Sequence, residues 1–530
     1  MVKLATTIIL VLLTIITTQS QTYVTGGEAS GEWSAEGSPY VIEGDLIVQE
    51  EERLKIDAGV EVIFAGPYAI EVYGRLEALG TAADSIYFTV QDTSGFSSGN
   101  YNNWFGIVFM DFAANQTELS KLEFCVVEYS AGSGITCLFY KNLLIRHSTF
   151  RNNSAHGILL MEFSDVTIEN TVIEDNKNTG MAVHYSAPQV SDFSIRNNNG
   201  GGLSLIGNSF GFLFPFFYNG SIYGNKTAGN GGGISVSMDA FASFSHLDVH
   251  SNSAQLGGGV YGSHSHLTFE KLFISDNSAL EGGGIYLNSQ ASLDITFSVV
   301  SFNTATQNGG GLFNQNGNLT ADRCTFAYNT AGNTGGGFYH DAETNQSNNL
   351  SNAVIWQNYP DAIHSLQAQP LVTYTNVEGG YPGKGNIDAD PLFADPLNNN
   401  FQLTWADFPV VSELTSPCID KGNPLSEPDP DQTIADMGAY YFAQTIITTI
   451  QNKTNETMIT IYPNPATNLF VIEGSKNIEQ VSIINLSGQM VRNFTSLIPE
   501  YHIADLHPGV YLVQVLTVNG NVTTRKLIKH

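Results

Sequence analysis

The sequence predicts an all-β fold: a right-handed parallel β-helix with three short strands per coil, followed by a small antiparallel β-sandwich. Three observations carry this reading. Of 530 residues, 52 are glycine, 42% are apolar and only 13% are charged, against roughly 25% charged in an average soluble chain. That is too apolar for disorder and too rich in glycine for a mainly helical protein. Glycine triplets begin at Gly200, Gly231, Gly257, Gly282, Gly309 and Gly335, at intervals of 31, 26, 25, 27 and 26 residues. A second marker, an apolar residue, two free positions and then Asn, recurs from Phe150–Asn153 to Ile355–Asn358 with nearly the same period.

Residues 1–20 come first. Lys3 precedes an apolar run from Leu4 to Ile16, and Thr18 and Ser20 are small residues before Gln21. This is the pattern of a cleaved secretory leader, too short to cross a membrane comfortably. No later stretch of the sequence is long and apolar enough to span. Cys125, Cys137, Cys324 and Cys418 fit no zinc spacing. They read as buried thiols, with Cys125–Cys137 the nearest pair should a disulfide form.

Residues 21–442 form the expected β-helix. The stretch from Gly282 to Asn308 shows the unit: three short apolar pieces rich in β-branched and aromatic residues, each bounded mostly by Gly, Ser, Asn or Thr. No segment keeps a helical period. A propeller blade needs about 40 or more residues, and the leucine framework of leucine-rich repeats is missing. In a solenoid each residue stacks on its counterpart about 4.8 Å away. The column Asn153, Asn176, Asn198, Asn225, Asn252, Asn277, Asn303, Asn329 and Asn358 then becomes an amide ladder along the axis. Val127–Ser130 fits one step earlier, with Ser in the Asn place. The apolar residue three places before each Asn should point inward, and the glycines should let adjacent coils approach.

A net charge of −29 excludes general nucleic-acid binding, which needs clustered Lys and Arg. Catalytic groups are sparse, with 14 Lys and Arg between residues 22 and 445. Lys141, Arg146, His147 and Arg151 are the best cluster for a base acting on an acidic sugar; the alternative is a solvated basic patch. No pair of carboxylates recurs in facing coils, as a glycoside hydrolase would need. His264 and His266 lie two apart on an expected strand and share a face, but no third metal ligand is evident. Asp388, Asp390, Asp429 and Asp431 sit in acidic turns that could hold Ca2+ or simply close the solenoid. No cofactor is required by any of these readings. The run from Phe210 to Tyr218, with Phe212, Phe214, Phe216 and Phe217, coincides with the longest glycine interval. Its rings could stack on sugars or fold back as a satellite core.

The glycine and Asn markers resemble the repeats of polymorphic outer-membrane proteins and related β-helix adhesins. Asp388–Pro396, Ser416–Gly422 and Asp436–Tyr440 are similar to the closing segment of that broad group, with Tyr441 where an acid usually follows. Residues 443–456 read as a Thr- and Asn-rich linker, and residues 457–530 as a separate domain. There, IYPNPATN with Pro463, Asn464 and Pro465, LHPGVYLVQV with Gly509 and Tyr511, and KLIKH with Lys526 strongly resemble the type A C-terminal sorting domain of the type IX secretion system. The resemblance implies a β-sandwich read by that secretion machinery, export across the outer membrane, and a Bacteroidetes-type bacterium. Three functions fit this address: an adhesin-like module binding glycans or surfaces, a polysaccharide lyase or hydrolase, and a structural stalk.

Overall fold

Each repeat folds as its apolar pattern requires, into three short strands separated by bends. In one coil these are Thr149–Arg151, Ile158–Met161 and Thr167–Glu169, after which Val172–Glu174 begins the next coil. Successive coils pair in parallel and in register. In this computed structural model, residues 21–444 and 459–530 are described, apart from 94–95, 97–102, 112–116, 208–213, 289, 342–346, 474–477, 486–488, 496–497 and 519–521. The leader expected over residues 1–20 lies outside the described residues. The chain divides into two compact units, Met1–Thr445 and Ile446–His530.

In the first unit the coils stack into three parallel sheets. The first runs from Thr22–Val24 to Asn376–Val377, the second from Gly27–Glu28 to Ile363–Ser365, and the third from Gly31–Trp33 to Leu371–Thr373. Alternation along each strand sends every second side chain inward. The residues three places before the ladder Asn, from Phe150 to Ile355, are all buried. Inward rings also stack between coils, as Phe217 does on Phe244 at 5.2 Å.

The Asn column is a continuous ladder at the bend between the first and second sheets. Asn153 Nδ2 donates to Asn176 Oδ1 at 2.9 Å, and the same bond recurs at 2.9–3.0 Å to Asn358. Ser130 enters the series through its backbone N–H, which donates to Asn153 Oδ1. The residue before each Asn turns the corner in the left-handed region, with Asn152, Asp175, Asn197 and Ser251 at φ of 54–57°.

The glycine triplets follow this bend. A Cβ on Gly283 would lie 2.6 Å from the carbonyl oxygens of Gly310 and Thr304 in the next coil, so the backbones touch there. The first glycines of the last three triplets lie against the Cβ of an outward aromatic residue, Gly282 against Tyr286, Gly309 against Phe313 and Gly335 against Tyr339. Tyr261, Tyr286, Phe313 and Tyr339 thereby form a covered outer stack, with adjacent rings 4.6–5.9 Å apart.

The last part of this unit leaves the coil and packs on the outside of the first sheet. Phe401 is buried against Phe302, Tyr328 and Phe393. Gly438 N–H donates to Asn352 O, and Ala439 N–H to Thr325 Oγ1. All four cysteines are free and buried, and burial pushes the Cys324 and Cys418 thiols up to about 12.

The second unit has two antiparallel sheets over one core. Thr460–Tyr462, Leu469–Glu473 and Tyr501–His502 form one sheet. Met490–Phe494, Ile478–Asn485, Gly509–Thr517 and Val522–Lys529 form the other. Phe470, Val481, Tyr501 and Val513 are buried in that core. Asn464 ties the first motif to the last strand: its Nδ2 donates to Lys526 O, and its Oδ1 accepts from Ile528 N–H, both at 2.8 Å. Tyr511 OH donates to His507 O.

Candidate functional site

The bend between the second and third sheets carries a stripe of aromatic side chains. Phe139, Phe163 and Tyr185 occupy it in consecutive coils, at φ of 58°, 62° and 53°. Their backbones are linked by Phe139 N–H to Met161 O and by Phe163 N–H to Tyr185 O. One coil on, the next described residues at this place are Phe214 and Pro215, followed by the strand Phe216–Tyr223. Phe214 is 61% exposed and Phe163 40%, so these rings face water although nothing in the fold requires it.

On the third sheet the stripe widens into a platform. Phe214 meets Phe241 edge-on at 5.9 Å, and Phe241 stacks on His266 at 4.2 Å. Phe216 and Tyr218 lie near parallel at 6.3 Å, and Tyr218 meets His246 at 5.3 Å. Ser245 Oγ lies 2.8 Å from His246 Nδ1 and donates weakly to Glu270. Burial and then the nearby Lys271 ammonium hold the His246 imidazolium below its usual range, so this ring is neutral at pH 7.

The aromatic run divides by strand parity. Phe214, Phe216 and Tyr218 are exposed. Phe217, expected among the binding rings, is instead fully buried, because it alternates with Phe216 and Tyr218 and joins the inward stack. Phe210 and Phe212 lie outside the described residues.

The basic cluster does not converge on an open cleft. Arg146 pairs with Glu123 at 2.8 Å and Arg151 with Glu128 at 2.7 Å. Arg151 belongs to a charge ladder on the first sheet, continued by Glu174, Arg196 and Tyr223. His147 stacks on Phe124 at 4.6 Å. Lys141 sits at the stripe's bend near Asp165, whose carboxyl is pushed up by burial, an effect that the Ala187 N–H and the Lys141 ammonium only partly offset.

Asp388, Asp390, Asp429 and Asp431 all accept backbone N–H groups, from Gly379, Leu392, Asp436 and Gln444 respectively. Among the described residues no group of three or more His, Cys, Asp or Glu is arranged to hold a metal ion. His264 and His266 are exposed on either side of the buried Ser265. Their neighbours differ from a simple column count. Met238 and Asp239 make a left-handed bulge, so His266 sits beside Phe241, and Ala240 beside Ser265.

Phe163, Tyr185 and Phe241 are members of the stripe that sequence reasoning did not single out. Tyr185 and Phe241 each share their coil with a buried Phe193 or Phe244, and only coil stacking brings the three together. For Tyr185 the available signal was an aromatic directly after the strand Met181–His184.

Residues 97–252 match the family model described as a right handed beta helix region, and residues 460–530 match the secretion system C-terminal sorting domain. No curated protein matches the chain. Among solved structures, the A-module of Azotobacter vinelandii mannuronan C-5 epimerase AlgE4 aligns at 16% identity, over 65% of this chain and 91% of its own, with a TM-score of 0.40. Full-length tailspike protein 2 from Escherichia coli O157:H7 bacteriophage CAB120 aligns at 11% identity, over 88% of this chain and 64% of its own, with a TM-score of 0.33. These alignments carry no information about chemistry in this chain. The two family matches and the geometry agree: this is a parallel β-helix protein bearing a type IX secretion sorting domain, exported to the cell surface or the extracellular space.

Proposed function

We propose that the β-helix is an adhesin-like binding module that holds a glycan chain along the aromatic stripe. The observation that carries this is a run of rings along one bend and the adjoining sheet face, exposed at Phe163, Phe214, Phe216 and Tyr218 and half-buried at Tyr185 and Phe241. Exposed apolar rings set in an otherwise polar surface mark interaction sites, and a sugar ring offers C–H groups to an aromatic face. Coils spaced about 4.8 Å apart present these rings at intervals, which suits an extended polymer better than a compact ligand.

A second reading, an enzyme acting on an extracellular polysaccharide, draws on Tyr218 beside the neutral His246, with Ser245 bridging toward Glu270. A hydroxyl and a neutral imidazole on the same face could move a proton. Against this, Arg146 and Arg151 are already paired with carboxylates.

The test is a glycan array on the chain from residue 21 onward, read together with reducing-sugar and unsaturated-product release. Binding without release is expected. Release of products, reduced by His246→Ala, would replace the binding module with the enzyme.

A further inference from the structure

We infer that the core of the last coils contains an internal polar site that binds one water between His340 and Asn348, coupling the second sheet to the third. The site lies inside the solenoid and is independent of the aromatic stripe.

The inward side chains change character towards the end of the solenoid. On the second sheet, Leu287 is followed in register by Asn314 and then by His340. On the third sheet, Leu293 and Leu319 are followed by Asn348. Three polar side chains thus stand where the preceding coils bury leucine. They are as deeply buried as those leucines: Asn314 is fully buried, His340 is 1% exposed and Asn348 5%.

Buried polar groups are normally matched by partners. Asn314 has its own. Its Oδ1 accepts from Gly317 N–H at 2.8 Å, and its Nδ2 donates to Gly317 O at 3.1 Å and to Asn348 Oδ1 at 2.6 Å. These bonds fix which way both amides face. Asn348 is left with its Nδ2. Among the described residues, neither Asn348 Nδ2 nor His340 Nδ1 has a hydrogen-bond partner. The two belong to one coil, on either side of a bend, and Asn314 is their common neighbour. It bonds Asn348 directly and precedes His340 by one coil, about 4.8 Å.

The chemistry of these two groups selects what can sit between them. Asn348 Nδ2 can only donate, so it repels a metal cation. Burial holds the His340 imidazolium below its usual range, and the Asp341 carboxylate offsets this only in part. The ring is therefore neutral at pH 7, and its Nδ1 donates or accepts according to tautomer. The Asp341 charge that acts on the ring disfavours an anion. Water is neutral, accepts from Asn348 Nδ2, and matches His340 Nδ1 in either tautomer. An internal water makes roughly two to four such bonds. It would tie Phe338–Asp341 to Asn348–Ser351, one coil before the second sheet ends at Ile363–Ser365.

Two measurements test this on the chain from residue 21 onward. A crystal structure at a resolution that shows ordered water should place one water within hydrogen-bond distance of both His340 Nδ1 and Asn348 Nδ2. The lack of a water shared by both groups overturns the inference, whether they touch directly or bond elsewhere. Urea unfolding of His340→Leu, Asn348→Leu and the double variant is the second measurement. If one water serves both groups, each single substitution strands the remaining partner. The double variant should then lower the unfolding midpoint by less than the two single shifts added together. Shifts that simply add would overturn the shared water, and the crystal structure decides the matter should a variant fail to fold.

Discussion

Asn252 shows how much of this molecule is decided at single residues. Its Oδ1 accepts from both Asn225 N–H and Asn225 Nδ2 at 3.0 Å. Its Nδ2 donates to Asn277 Oδ1 at 3.0 Å and to Ile222 O at 2.8 Å. Asn252→Ala deletes all four bonds and leaves donors and an acceptor of neighbouring coils buried without partners. Each such group costs about 1–3 kcal/mol, so a loss of at least about 3 kcal/mol is expected in urea unfolding, with local opening around the gap. A loss below about 1 kcal/mol would mean that water replaces the amide and that the ladder is not a main source of stability. This column was legible because an amide at a fixed place in each repeat serves one purpose in every coil. Phe217 was not read correctly, because one residue of register decides core or surface and the run FPFFY does not show which parity wins.

At the scale of elements, the three-strand coil and its bends follow from glycine, Asn and apolar spacing, but the closing segment does not. Its motifs were visible, yet its partners are far away in sequence: Gly438 on Asn352, Ala439 on Thr325, and Arg323 on Glu427 and Asp429. The acidic turns serve as backbone acceptors there. Asp436 accepts N–H bonds from Asp420 and Phe442. Burial, and then repulsion from Asp429 and Asp420, pushes its carboxyl up to about 7 from an ordinary value of 3.8. The folded segment therefore holds this proton more tightly than the unfolded chain does. Its contribution to stability is fully present below about pH 4 and is lost as pH rises through about 7. Hydrogen exchange of the Asp420 and Phe442 amides, corrected for intrinsic rates, should show more protection at pH 5 than at pH 8. Asp436→Asn should flatten that difference; an equal difference in the variant would assign it to other groups.

The first unit is a regular solenoid that carries an irregular aromatic strip, and the second is an export domain. Regularity explains why so much of the fold could be read in advance: a solenoid repeats one solution, and nine Asn residues report it. The strip was only partly legible, since Phe210–Tyr218 stands out as a run while Phe163, Tyr185 and Phe241 join it only through stacking between coils. If the strip is the binding surface, removing its rings must abolish binding without loosening the scaffold, because Phe214, Phe216 and Tyr218 are exposed. The direct measurement is calorimetric titration of a glycan that binds, using the protein from residue 21 onward and its Phe214→Ala, Phe216→Ala, Tyr218→Ala form, with thermal unfolding of both. The expected result is affinity at least tenfold weaker, about 1.4 kcal/mol, with an unchanged melting midpoint. Undiminished affinity in the folded variant would contradict the assignment and move the binding surface elsewhere on the solenoid.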